Sequence, residues 1–422
     1  MEFCDDNPQR IGPLAIDLCW PKIQGVAAVA GSFGETISRM DEFTFFEFFA
    51  GGGMARAGLA AQWRCLFAND FDRKKRQSYT NVWGETDYNS KDVRTLEVAE
   101  LPGTPDLAWA SFPCQDLSLA GGGAGLRGDR SGTFWPFWNL MEKLIDDRRA
   151  PKIIALENVC GTLTSHGGRD FTAICVALAQ AHYRVGALVI DASIFVPQSR
   201  PRLFVIGVRN DVSIPPELFR SDPSPLWHPR TVLKAYDIAS STAWFDWVWW
   251  RPPSPTARTK TFAAVIEDDP ADVNWHTQTE TKRILAMMTD VNLAKVAAAK
   301  VSGKRKVGAV YKRTRLSEDG RKVQRAEVRF DDVAGCLRTP AGGSSRQLIL
   351  VVQGETVRSR LISGRETARL MGLPDSYRLP PNYNEAYHLM GDGVVVPVVR
   401  HLARYIFEPI LVAFRTGARA AA

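Results

Sequence analysis

The chain has 422 residues, of which 45% are hydrophobic and 23% charged, with 33 Gly and 25 Pro. That leaves room for two or three domains and excludes collagen-like, disordered and low-complexity chains. Its richest apolar runs, such as 394–399, are strand-sized, so no membrane span is expected. The net charge of +7 is confined to one stretch: residues 300–329 carry eleven Lys/Arg against three Asp/Glu, whereas the rest of the chain holds 42 basic and 43 acidic groups. Such a run is either a solvated face or a surface for a polyanion.

In chain order, residues 1–42 match no motif and read as an N-terminal extension. The stretch 23–33 only superficially resembles a signal peptide, because Glu2, Asp5, Asp6 and Asp17 precede it. From 43 to 210 short apolar runs (43–49, 64–70, 105–111, 152–158, 183–190 and 202–208) alternate with helix-length segments such as 134–148 and 168–182. This pattern predicts a doubly wound α/β sheet. The first run leads into Phe49-Ala50-Gly51-Gly52-Gly53-Met54, a turn that lets a ligand approach the backbone closely. Arg56 occupies the position where a pyrophosphate-binding fingerprint needs its last glycine, which favours a ligand without phosphates. Asp70 at the end of the second run and Asp92, after what reads as a short third strand before 105–111, suit an adenosine.

Cys114 follows Pro113 in the loop leaving 105–111, where doubly wound sheets place their chemistry. Taken alone, a free cysteine is more often a small buried hydrophobe. All seven cysteines are scattered and none forms a Cys-x-x-Cys pair, which points to a reducing cytoplasm and to neither disulfides nor a zinc knuckle. Glu157 ends 152–158, and Gln198-Ser199-Arg200-Pro201-Arg202 opens the last run. Beyond Asn210 prolines interrupt regular elements, setting a boundary near 211 and a smaller irregular domain to 335. In 336–422 the stretches 357–372 and 394–411 read as helices returning to the first domain.

Taken together and in order, the motifs FAGGGM (49–54), ANDFD (68–72), PCQ (113–115), ENV (157–159), QSRPR (198–202), RTPAGGSSR (338–346), RETARLMGLPDSY (365–377) and MGDGVVVPVV (390–399) closely resemble the DNA (cytosine-5) methyltransferase family. The resemblance runs from about Phe43 to Leu411, excluding much of 211–330. Three positions depart from the family pattern: Met54 replaces a glycine, Asp70 the commoner Glu, and Asp392 an Asn. All three lie on the cofactor side.

The resemblance implies a mixed sheet of the S-adenosylmethionine-dependent methyltransferase type, with catalytic domain 43–210, target-recognition domain 211–335 and a returning segment 336–422. It implies transfer of a methyl group from S-adenosyl-L-methionine to carbon 5 of a flipped cytosine in double-stranded DNA. Cys114 would attack carbon 6, Glu157 would hold ring nitrogen 3 and the amine, Arg202 would bind the carbonyl oxygen, and Arg200 would support them. No metal is required. Phe49, Gly51, Gly53, Asp70, Phe71, Asp92, Val93, Pro113, Asp392 and Gly393 would hold the cofactor. Gln115, Ser118, Arg127, Arg130, Gln198, Arg313, Arg315, Arg338 and Arg346 would meet DNA. Arg313 and Arg315, one residue apart, would share a face of a strand. The aromatic run 244–250 suits either core packing or base stacking, with packing the commoner use. A monomer on DNA is the expected working state, either with a cognate restriction endonuclease as companion or acting alone. The alternatives are an RNA cytosine methyltransferase and a catalytically inactive DNA-binding protein.

Overall fold

The apolar runs of the first half become strands of one sheet. A computed structural model describes residues 42–113, 131–316, 320–339 and 346–421. Elements are numbered in chain order: β1 (Phe43–Phe48), α1 (Met54–Leu59), β2 (Trp63–Asn69), α2 (Arg73–Trp83), β3 (Tyr88–Asn89), β4 (Leu107–Ala110), α3 (Phe134–Asp146), β5 (Ile153–Val159), α4 (Arg169–Gln180), β6 (Tyr183–Asp191) and β7 (Pro201–Arg209). The sheet order is β3-β2-β1-β4-β5-β7-β6. Six strands, β1–β6, run in one direction, while β7 lies antiparallel between β5 and β6. Helices cover both faces, which is why strands such as β5 (IIALENV) read as continuous apolar runs and not as alternating ones. The expected mixed, doubly wound sheet is thus formed.

The proline-rich stretch after β7 contributes β8 (Phe219–Arg220), α5 (Arg230–Thr242) and β9 (Trp249–Trp250). These pack on the outer edge of the large sheet: Val185 of β6 bridges Trp247, and α5 lies against α4. Gly186 makes the approach possible, since a Cβ there would sit 2.3 Å from the Val248 carbonyl and 2.4 Å from Trp250 Nε1. Trp250 is fully buried, and Trp247 and Trp249 pack against the Tyr236 ring, the first tilted and the second edge-on. The aromatic run is therefore core, with Trp244 alone standing 90% exposed.

Next come α6 (Phe262–Val265), α7 (Gln278–Ala286), α8 (Asp290–Val301), β10 (Lys306–Leu316), β11 (Lys322–Arg329), β12 (Leu348–Gln353) and β13 (Thr356–Leu361). The four strands form a second, antiparallel sheet in the order β11-β10-β12-β13, whose apolar face packs on α7 and α8 through Ile284, Met288, Val296, Val328 and Leu350. Strands on both sides of residue 335 share this sheet. The helix expected over 357–372 is shorter: 356–361 is the edge strand β13, and only α9 (Gly364–Leu370) is helical. The Ser363–Glu366 capping box starts that helix, and Arg360 in the strand before it is fully buried against Glu366.

The chain closes with α10 (Tyr383–Asp392), α11 (Val396–Leu402), a π-helical turn at Ala403–Phe407 and α12 (Glu408–Ala421). These return to the large sheet as expected. Gly58 of α1 touches α11 so closely that a Cβ would lie 2.4 Å from Val399, and Trp63 and Arg415 reach Glu408 and Asp106 across the chain. One core cluster accordingly runs from Phe43 to Leu411. Among the described residues no helix is long and apolar enough to cross a membrane.

Candidate active site

The carboxyl ends of β1, β2, β4 and β5, the start of β7, one face of β10–β11 and the N-terminal and C-terminal ends of α10 enclose a cavity of about 1730 Å³. Its first half is built on the glycine turn after β1. Phe49 and Gly51 both take left-handed φ (57° and 56°), and a side chain on Gly51 would meet no atom within 4 Å, so this part of the turn lies open to the cavity. Gly53 (φ 75°) does not line it; a Cβ there would strike Trp83 Nε1 at 2.2 Å, so this glycine serves packing. The Gly51 N–H donates to Asp70 Oδ2 (3.0 Å) and the Asp72 N–H to Asp70 Oδ1 (3.0 Å), fixing the acid at the end of β2. Burial pushes the Asp70 carboxyl up, against the pull of Lys75. Phe71 beside it is 62% exposed and lines the cavity, a free aromatic face.

Asp392 and Gly393 at the end of α10 form the opposite wall. Gly393 packs on Met54, whose Sδ would be 2.2 Å from a Cβ there. The Asp392 carboxylate pairs with Lys75 Nζ at 2.9 Å and accepts a short hydrogen bond from the Thr339 hydroxyl. Burial would raise its pKa, but Lys75 and Thr339 hold it below the usual carboxylate range. Thus two of the three departures from the family pattern, Met54 and Asp392, each have a local partner.

In the second half, β5 and β7 pair antiparallel with Val159 opposite Arg202, which brings Glu157 and Arg202 together at the cavity floor. Arg202 Nε lies 3.2 Å from Glu157 Oε1, and both side chains are largely covered. Arg200 differs. Although it lines the cavity, it is 2% exposed and spends its guanidinium on the carbonyls of Leu337 (2.9 Å), Gly391 (2.7 Å) and Gly393 (2.7 Å). It was expected among the catalytic groups, but its geometry is that of a clamp on the wall carrying Asp392.

Gln198 is likewise not a DNA contact. It is fully buried, its amide donates to the Leu370 carbonyl (2.9 Å) and its Oε1 accepts the Leu337 N–H (3.1 Å). A burial of this kind leaves no polar atom for a ligand. Asp92 caps the short helix at Val93–Thr95, Val93 is core, and neither lines the cavity. Pro113, Arg313, Arg338 and Arg346 do line it. Arg313 and Arg315 share the face expected, both pairing with Glu327 (3.2 and 2.7 Å). Arg346 lies over the Tyr383 ring and donates to Asn384. Cys114, Gln115, Ser118, Arg127 and Arg130 lie outside the described residues.

Two groups that the motif reading passed over also line the cavity. Glu47, the one acid within the apolar run of β1, is 2% exposed, its Oε2 has no partner among the described residues, and burial pushes its pKa to about 8 despite Arg56. A lone charge inside a buried strand was the available signal. Cys336 has Sγ 3.5 Å from Arg200 Nη1 and 4.0 Å from Arg202 Nη2; burial raises its pKa, but the two guanidinium groups bring it below the ordinary thiol value. Nothing in its sequence context marks it.

An open glycine turn, an exposed aromatic face, a fixed Asp at the end of β2 and an orphaned buried carboxyl oxygen, which a cation would draw into ionising, fit an adenosine that carries a cationic group. The sheet order and this site define a methyltransferase of the S-adenosylmethionine-dependent type. Solved structures share the fold: the S. pombe Dnmt2 methyltransferase (TM-score 0.51, 16% identity, covering 87% of this chain and 99% of that one) and the Entamoeba histolytica methyltransferase EhMeth (TM-score 0.54, 14% identity, 87% and 99%). The family profile of the C-5 cytosine-specific DNA methylases matches residues 43–408, and the chain belongs to that family. Relatives include the type II methyltransferases M.HpaII of Haemophilus parainfluenzae (24% identical over 387 residues, 88% of this chain and 90% of that protein) and M.HhaI of Haemophilus parahaemolyticus (24% over 364 residues, 85% and 92%).

Proposed function

We propose that this DNA cytosine methyltransferase works on a cytosine flipped from duplex DNA, with Cys114 as nucleophile, and serves as the modification half of a type II restriction–modification pair. The observation that carries the reading is the Glu157–Arg202 pair at 3.2 Å, opening onto the same cavity as Asp70 and the Gly51 turn. A carboxyl and a guanidinium side by side match the donor and acceptor edge of cytosine: Glu157 meets nitrogen 3 and the amine, and Arg202 the carbonyl oxygen. S-adenosyl-L-methionine, when bound, supplies an electrophilic methyl group on a sulfonium.

The Cys114 thiolate forms a bond to carbon 6, and the electron pair displaced toward carbon 5 makes that atom nucleophilic. Arg202 and a proton presented by Glu157 stabilise the charge that develops in the ring. After carbon 5 is alkylated, a water takes its proton, the electron pair re-forms the ring double bond and the carbon–sulfur bond breaks, returning the thiolate. Gly51, Phe71, Asp70 and Glu47 would hold the adenosine and the cationic end. Arg200 and Gln198 position the walls and touch neither substrate. Arg313, Arg338 and Arg346, with the basic stretch around β10 and β11, would meet the phosphates.

Bisulfite sequencing of plasmid DNA from cells expressing the protein tests the activity and reads out the target. Protected cytosines in one sequence context are expected with the wild-type chain and none with Cys114→Ser. Normal methylation by the Cys114→Ser protein overturns the mechanism. Methylation of RNA but not of duplex DNA overturns the substrate.

A further inference from the structure

One charged side chain in the cofactor half has no assigned role. Lys74 and Lys75 are neighbours in the first turn of α2 and both line the cavity, but they differ in partner and burial: Lys74 is 71% exposed and pairs with Glu385, while Lys75 is 26% exposed and pairs with Asp392. Lys75 Nζ meets Asp392 Oδ2 at 2.9 Å, with Asp70 and Asp72 nearby, so the group stays an ammonium despite its burial. An ammonium has three donors. Asp392 takes one, and no other acceptor is bonded to it among the described residues.

Asp392 is more fully engaged. Lys75 takes one carboxylate oxygen, Thr339 the other, and Arg200 grips the carbonyls of the residues on either side. Expected as a direct cofactor ligand, Asp392 has both oxygens occupied. What it presents to the cavity is the cation it holds. S-adenosylmethionine carries one anionic group, the α-carboxylate, beside a sulfonium and an ammonium. The acids Glu47 and Asp70 already suit the cationic and hydroxyl parts, which leaves the carboxylate in need of a positive partner.

We propose that Lys75 is the counter-ion of the cofactor's α-carboxylate, aimed by Asp392. The inference rests on the proposed use of S-adenosylmethionine. It also accounts for the acid at 392, since an Asn there would place no demand on a lysine at 75.

Calorimetry on the full chain tests it with two ligands: S-adenosylhomocysteine, and 5′-deoxy-5′-methylthioadenosine, which keeps the adenosine and the thioether but has neither carboxylate nor ammonium. Lys75→Met is expected to weaken the first by about tenfold or more, the size of one charge-assisted contact, and to leave the second unchanged. Lys75→Arg should retain most of the affinity. Adding Asp392→Asn to Lys75→Met should recover part of the loss, because the acid no longer opposes the carboxylate. Equal losses for both ligands, or no loss for either, overturn the assignment, as does a loss of DNA affinity with cofactor affinity intact. A wild-type chain that binds neither ligand overturns the use of S-adenosylmethionine itself, and the role of Lys75 with it.

Discussion

Two positions separate Arg200 from Arg202, yet one guanidinium serves main-chain carbonyls and the other a carboxylate. The two should fail differently when replaced. Arg200→Met strands three buried carbonyls, so urea denaturation should show a loss of roughly 3 kcal/mol or more. Arg202→Met removes the donor proposed to meet the charge developing on the base; single-turnover methylation should slow by about 10²- to 10³-fold, with duplex affinity within a few-fold of the wild type. A third residue-scale expectation concerns thiols. Burial pushes Cys65 to about 12 and Cys160 to about 11, whereas the guanidinium groups bring Cys336 below its usual value. Thiolate character sets reactivity. In a Cys114→Ser protein, iodoacetamide labelling followed by peptide mapping should therefore find Cys336 modified before either of them. That Glu157 and Arg202 meet in the cavity was legible because motif order placed them at strand ends. The contacts of Gln198 and Arg200 were not, since spacing along the chain does not say which way a polar side chain turns.

At the scale of elements, the large sheet was readable because its strands are buried on both faces and so stand out as unbroken apolar runs. The second sheet was not. Val357-Arg358-Ser359-Arg360-Leu361 carries buried Ser359 and Arg360 in an edge strand, the Ser359 hydroxyl bonded to His276 and Thr281 and the Arg360 Nη atoms to Glu366. Buried polar residues with local partners erase the alternation that would have signalled a strand. The contact between β6 and the aromatic run was hidden for another reason: it depends on the absence of a side chain at Gly186. Gly186→Ala should force Val248 and Trp250 off the sheet edge. The expected cost is roughly 1–3 kcal/mol, read as a lowered urea midpoint together with a change in tryptophan fluorescence.

For the molecule as a whole, three buried groups set an expected pH dependence. Burial holds His228 and His401 near a pKa of about 4, so folding is favoured above the unfolded value near 6.5 and weakens as pH falls toward 4. Each contributes up to about 3 kcal/mol of this loss. Glu47, held near 8, acts in the opposite sense: the folded state keeps a proton that the unfolded chain releases above about 4.5, so its contribution declines as pH rises toward 8. With two groups gaining and one losing below pH 6.5, and only the loss remaining above it, the melting temperature should peak near pH 6.5. Glu47→Gln should flatten the alkaline side of that curve and leave the acid side in place. The closure of the large sheet by α10–α12 has a further consequence, one of timing. Gly391, Asp392 and Gly393 follow every strand of the large sheet in the chain, yet they anchor Arg200 and Lys75 and form one wall of the cavity. A nascent or prematurely terminated chain ending before residue 390 is expected to hold no donor and to mark no DNA, although every strand of its large sheet has already been made.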